Sequence, residues 1–348
     1  MGFKRFDPED FVISADTVTS TVWSNNAVAL NNYYTSSTQE QGSSGEYYLN
    51  IYQTASSDAA AAVQFSTAYA NEDGGGTLLF DNSVTGKSPS RSIYGQYRTL
   101  VLEDENAQFV FGGSYTGSQF YVINIERARY KEKLLPGSFN LVLSSSNPNL
   151  AALHLTDNSK DVNLPTYYGT QRAFEVVSGS DGNAYSGTGY TTNSGSYGLF
   201  LPDISTIILN ADALNDNSST GNRGINLATN SGSNTNGQNP RKLYTHISGS
   251  SGDSDGSVFK LNSQETITSD YVFVRSRNSE FNYSENPSFI SGSTGEVIYN
   301  YFIDNPQTFA TTVGMYNDSN ELLAVAKLSK PLVKDFTKEA LIRVKLDF

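Results

Sequence analysis

His154 and His246 are the only imidazoles in the 348 residues, and the chain contains no cysteine. Nucleophilic triads have almost nothing to draw on, and disulfides, thiolate nucleophiles and Cys-based zinc sites are excluded. His154 alternates with Leu153 and Leu155, which makes it the solvated or hydrogen-bonded member of a strand; His246, between Thr245 and Ile247, reads the same way. No G-x-S-x-G elbow or H-E-x-x-H helix occurs. Gly86-Lys87-Ser88 copies the end of a phosphate-binding loop, but Asp81 stands where that loop needs its first glycine. Pro89 is expected to block the helix that should follow. Asp253-Ser254-Asp255-Gly256 has the start of a calcium loop, yet its glycine comes too early and Gln264 replaces the closing glutamate, so an Asp/Gly turn is expected. Carboxylates are plentiful and no pair stands out by spacing. No catalytic residue, cofactor or metal ligand is assigned, and the chain is expected not to be an enzyme.

The charges carry more information. Lys and Arg number 23 against 35 Asp and Glu, a net charge of −12, so nucleic acid is a poor partner for this chain. Against that background 126–133 reads Glu-Arg-Ala-Arg-Tyr-Lys-Glu-Lys. A strand here would place Arg127, Arg129, Lys131 and Lys133 on one face. Such a stripe is either a charged edge that resists aggregation or a docking edge for an acidic neighbour or another copy of the chain. Lys327, Lys330, Lys334, Lys338 and Lys345 repeat the theme around Pro331. The candidate interface residues are therefore Arg127, Arg129, Lys131, Lys133, Tyr316, Lys327 and Lys330.

The elements that would position these residues are mostly strands. Charged residues are only 17% of the chain, while 22 Tyr and 19 Phe accompany 2 Met and 1 Trp, a balance that fits pleated, half-buried surfaces. Period-2 segments separated by turn residues are expected as strands at 17–23, 27–34, 46–54, 59–70, 152–156, 173–177, 196–201, 206–209, 257–261 and 269–275. The clearest pair is 120–130 and 139–144, joined through Pro136-Gly137. A hairpin over 311–328 turns at Asn317-Asp318-Ser319-Asn320, and 340–348 makes a last strand. Helix is open only to 93–103, 205–214 and 331–341, with one turn behind Pro8. Three stretches rich in Gly, Ser, Asn and Thr, at 178–198, 215–240 and 248–257, are expected as loops on one rim. The expected fold is mainly β, with sandwich-like domains, long loop insertions and few short helices. It divides into an N-terminal β domain (1–177), a loop-rich region (178–257) and a C-terminal β region (258–348). No apolar run approaches the ~18 residues of a membrane span, and the first residues lack the apolar core of a signal peptide, so the expectation is a protein made in a cytoplasm with no membrane partner.

Four stretches resemble virion structural proteins of T-even-like myophages, especially those infecting marine cyanobacteria. They are YVINIERARYKEKLLPGSF (121–139), RNSEFNYSENP (277–287), VGMYND…LLAVAKLSKP (313–331) and the opening KRFDPEDF (4–11). The resemblance implies a non-enzymatic part of a contractile-tailed bacteriophage particle, in the baseplate or associated with the tail. Its partners would be other tail and baseplate proteins and further copies of itself, with the virion as its location after assembly in the host bacterial cytoplasm. No functional residue is carried over. Two alternatives accompany this reading. One is a tail-fibre adhesin binding a host surface glycan through Tyr185, Tyr190 and Tyr197, and the other is a neck or capsid-associated protein. A polysaccharide depolymerase using two carboxylates is a third class.

Overall fold

The computed structural model describes residues 4–35, 48–77, 87–185, 191–217, 224–232, 238–284 and 286–347. It is mainly β with few short helices. The chain forms two compact units, one of residues 18–265 and the other of residues 1–17 with 266–348. It passes between them inside two strands, Phe11–Thr21 and Asn262–Ser276. These limits differ from divisions at 177 and 257. Residues 178–257 do not stand apart, because Gly198–Leu201, Thr206–Asn210 and the helix Asn239–Ser248 are all built into the larger unit.

The larger unit is organised by one antiparallel sheet of thirteen strands. At its centre Gln119–Ile125 lies between Val63–Asn71 and Thr206–Asn210. The sheet continues on one side through Leu49–Tyr52 to Tyr34–Thr35. On the other it runs through Gly198–Leu201, Gln171–Ser180, Leu153–Asp157, Asn140–Leu143 and Phe259–Lys260 to Ala29–Leu30. Its two terminal strands end at Leu30 and begin at Tyr34, so only three residues span the gap between the sheet's edges. At ~3.5 Å per residue that gap is short, and the sheet has to curl round until its ends are neighbours. The opposed layers of a sandwich are supplied here by one curled sheet.

Curling buries the central strand on both faces. Tyr121, Ile123 and Ile125 join an inner core with Phe65, Phe139, Phe200 and Phe259. The alternate residues Phe120 and Val122 join an outer core with Ile93, Tyr94, Phe109 and Phe111. The period-2 rule therefore operates with apolar groups in both phases, as in a strand covered on both sides. The outer cover is the helix Pro89–Tyr97 and the hairpin Phe109–Phe111 with Tyr115–Gly117. Pro89 starts this helix: its missing N–H falls on the first turn, where no partner is needed, and the Ser88 hydroxyl caps the N–H of Arg91 at 3.4 Å. Asp81 and Gly86 lie outside the described residues.

The 120–144 pair does not form. Gln119–Ile125 is already flanked on both sides, while Asn140–Leu143 pairs with Leu153–Asp157 and Phe259–Lys260. The helix Asn239–Ser248 falls at the end of a stretch expected as loop; it buries Leu243, His246 and Ile247 at helical spacing. Of the helix candidates, 331–341 is strand as far as Lys334 and a turn beyond it.

In the smaller unit residues 269–276 pair antiparallel with 340–347. A separate two-stranded ribbon, Thr308–Tyr316 with Leu322–Lys334, turns at residues 317–321 as its Asn/Asp content requires. Val313, Met315, Ala324 and Ala326 of the ribbon pack with Val272, Ile342, Val344 and Leu346. Asp10, buried behind the turn Pro8–Asp10, pairs with Arg275 at 3.0 Å.

Candidate interaction surfaces

The segment 126–133 is not a strand with one cationic face. The ladder stops at Ile125, where the neighbouring strand Thr206–Asn210 runs out opposite Asn124. Ser205, just ahead of the strand Thr206–Asn210, accepts from the N–H of Ile125 at 3.1 Å, and Gln64 accepts from that of Glu126 at 3.1 Å. Beyond that point the backbone satisfies itself in a 3-10 turn over Arg127–Arg129, with Arg129 N–H on Glu126 O at 2.8 Å. The four cations therefore point to different ends. Arg127 lies over the Tyr130 ring at 4.7 Å and donates to the Tyr130 carbonyl at 2.9 Å. Arg129 turns inward and donates to Ser24 Oγ at 3.1 Å. Ser24 is held in turn by fully buried Gln64, whose amide reaches Gln53 Oε1 at 2.9 Å. Lys131 is exposed. Lys133 pairs with Glu132 at 3.3 Å, and its backbone pairs with Gln264. Close by, Arg172 grips Asp203 with two hydrogen bonds, at 2.9 and 2.7 Å. That contact, with Lys133 adding to it, holds the Asp203 carboxyl below its ordinary value.

A cavity of about 250 Å³ opens between residues 20–26 and 128–131. Its walls carry Arg129 and Lys131 and no acidic side chain. Trp23 Nε1 and Arg129 Nε, both on residues of this wall, are sealed from solvent without a hydrogen-bond partner, so neither is open to an incoming ligand.

The remaining sequence candidates resolve into structural roles. His246 is buried: its Nδ1 lies 2.7 Å from the Ser144 carbonyl, which can only accept, so Nδ1 carries the proton and Nε2 accepts from Ser146 Oγ at 3.3 Å. Burial lowers its pKa, against the opposing pull of the Ser144 carbonyl. Asp253 accepts from the N–H groups of Asp255 and Ser257, each at 2.9 Å, and from Lys260 Nζ at 2.7 Å. Burial opposes its ionisation, but these three donors outweigh burial and hold its carboxyl below the ordinary value. Among the described residues no group of three metal-binding side chains comes together. The three tyrosines of a sugar-binding rim are not assembled either: Tyr197 is fully buried in the inner core, Tyr185 is exposed with its ring 6.5 Å from His154, and Tyr190 lies outside the described residues.

The smaller unit presents a different surface. Among its described residues sixteen large apolar side chains are exposed and four are buried, the others being partly buried. The outward side of the ribbon shows Phe309 (60% exposed), Leu323 (68%) and Val325 (57%), with Tyr316 also exposed. Lys327 and Lys330 stand on the same ribbon, both exposed and without an ion pair among the described residues. The other C-terminal cations are engaged. Lys338 pairs with Asp335 at 2.8 Å and Lys345 with Asp347 at 2.9 Å. Lys334 is buried, with its ammonium on Asn278 O at 3.0 Å, Asn282 Oδ1 at 2.8 Å and Asp335 O at 3.1 Å. The structure thus brings Tyr316, Lys327 and Lys330 onto one ribbon and disperses Arg127, Arg129, Lys131 and Lys133. Sequence reasoning named Tyr316 but missed Phe309, Leu323 and Val325, although the alternation of Leu323, Val325 and Lys327 against Ala324 and Ala326 was there to be read.

No protein-family model, curated protein or solved structure matches this chain.

Proposed function

We propose that this chain is a structural component of a contractile-tailed bacteriophage particle, in the baseplate or associated with the tail, and that it works by protein–protein assembly. The observation that carries the reading is the smaller unit's surplus of exposed apolar side chains over buried ones. So small a set of buried groups is a thin core for a unit of that length, and a partner chain is the usual way such a surface is covered. Tyr316, Lys327 and Lys330 share the ribbon with those apolar groups, which combines area for affinity with charge for orientation. The resemblance of 121–139, 277–287 and 313–331 to myophage virion proteins supplies the kind of particle. The test is mass spectrometry of washed particles from the cognate infection, together with electron microscopy of particles made without the gene. The expected result is the protein present at fixed stoichiometry and tails incomplete in its absence. A protein abundant in the lysate and missing from washed, intact particles overturns the reading.

A further inference from the structure

We infer that the ribbon is where two copies of this chain meet, with the Thr308–Tyr316 strand of one copy lying antiparallel along the same strand of the other. The inference rests on the assembly reading above and names its partner. The two edges of the ribbon are unequal. Leu322–Lys334 carries Lys327, Lys330 and Pro331, groups that resist the addition of a further strand. Thr308–Tyr316 has nine residues with no charge and no proline, and among the described residues its outer edge pairs with no strand. Such an edge is a template for pairing, and flanking apolar side chains such as Phe309 would be covered in the same step.

Charge selects a second copy as the occupant. The whole chain carries −12, so copies repel at most orientations. An uncharged strand meeting itself sets no like charges opposite one another. The C-terminal part of the smaller unit is also polarised along the sequence: 266–321 holds seven acidic and two basic residues, whereas 322–348 holds six basic and three acidic. A two-fold contact reverses one copy relative to the other. It therefore brings Asp318 and Glu321, at the tip of one ribbon, toward the stem half of the other, the half that carries Lys330 between the Thr312–Lys327 and Ala310–Leu332 pairs. Thr312, at the centre of the strand and exposed, would face its own counterpart.

The test is the solution mass of the full chain by light scattering, for wild type, Thr312→Lys and Thr312→Glu. Wild type is expected at twice the chain mass at micromolar concentration. Each variant is expected at half the wild-type value with an unchanged circular dichroism spectrum, since like charges then meet at the axis, and an equimolar mixture of the two is expected to recover the doubled mass. A wild type that stays at single-chain mass, variants that keep the wild-type mass, or a mixture that does not re-associate each overturns the inference. A single-chain wild type that is nonetheless found in washed particles removes the second copy and leaves the assembly reading standing; a self-associating chain absent from particles does the reverse.

Discussion

Arg129 and Lys131 sit two residues apart and do opposite things. Arg129 is anchored on Ser24 inside the network of Gln53 and Gln64, while Lys131 lies in solvent. Arg129→Ala should lower the larger unit's stability by about 1–3 kcal/mol through a lost charge-assisted hydrogen bond, and Lys131→Ala by no more than about 0.5 kcal/mol, both read from urea midpoints. His246 gives a pH signature. Its folded pKa lies below the unfolded value of about 6.5, so below that pH the unfolded chain binds more protons than the folded one. Stability should therefore fall as pH drops through about 6.5 and level off below the folded pKa. Buried Asp157 and half-buried Glu175, whose pKa values are raised by loss of solvent, act in the other direction: they favour the fold as pH falls through their raised values toward the ordinary ones. They are common to wild type and His246→Gln, so the difference between the two proteins from about pH 8 to about pH 5 isolates the histidine, and equal slopes would refute its role.

At the scale of elements, the ladder decides where strands end. The central strand stops at Ile125, one residue past the end of its pairing with Thr206–Asn210, and the following cations fall into a turn whatever their spacing. Close strand contact also sets single residues. Gly198 adopts φ 151°, and a Cβ there would lie 1.9 Å from the carbonyl oxygen of Ile208 in the paired strand. No rotamer change relieves a clash with backbone. Gly198→Ala should cost more than about 3 kcal/mol, enough to leave the larger unit largely unfolded or insoluble, and a soluble variant with a wild-type melting temperature would contradict this.

Across the whole molecule, apolar side chains are distributed unevenly between the two units. The larger unit is closed, with phenylalanines and tyrosines filling both faces of a curled sheet. The smaller leaves Phe309, Leu323 and Val325 in water. Each such group gains about 25 cal/mol for every Å² that a partner covers, so a cluster of them is a reservoir of association energy. Leu323→Glu with Val325→Glu removes part of that reservoir from an already exposed site. The double variant should fold normally by circular dichroism yet be depleted from particles in a complementation experiment. Normal incorporation would take the ribbon face out of the account.

The sequence by itself determined the β character, because short apolar segments separated by turn residues, in a chain with 22 Tyr and 19 Phe, suit pleated surfaces, and it determined the hairpin turn at 317–320 and the hydrogen-bonded role of His246. It did not determine which strands pair. The strands at 119–125 and 140–143 are near in sequence and equally apolar, but a sheet whose ends must meet assigns each of them other partners. Nor could it separate an inward arginine from an outward lysine at 126–133, since spacing alone cannot say where a neighbouring strand runs out. The helix Asn239–Ser248 was hidden because only the closed inner core makes Leu243, His246 and Ile247 a buried face. Tertiary structure decided those points for one physical reason: burial and backbone hydrogen bonds are satisfied between segments far apart in the chain, and local pattern records only one side of each such contact.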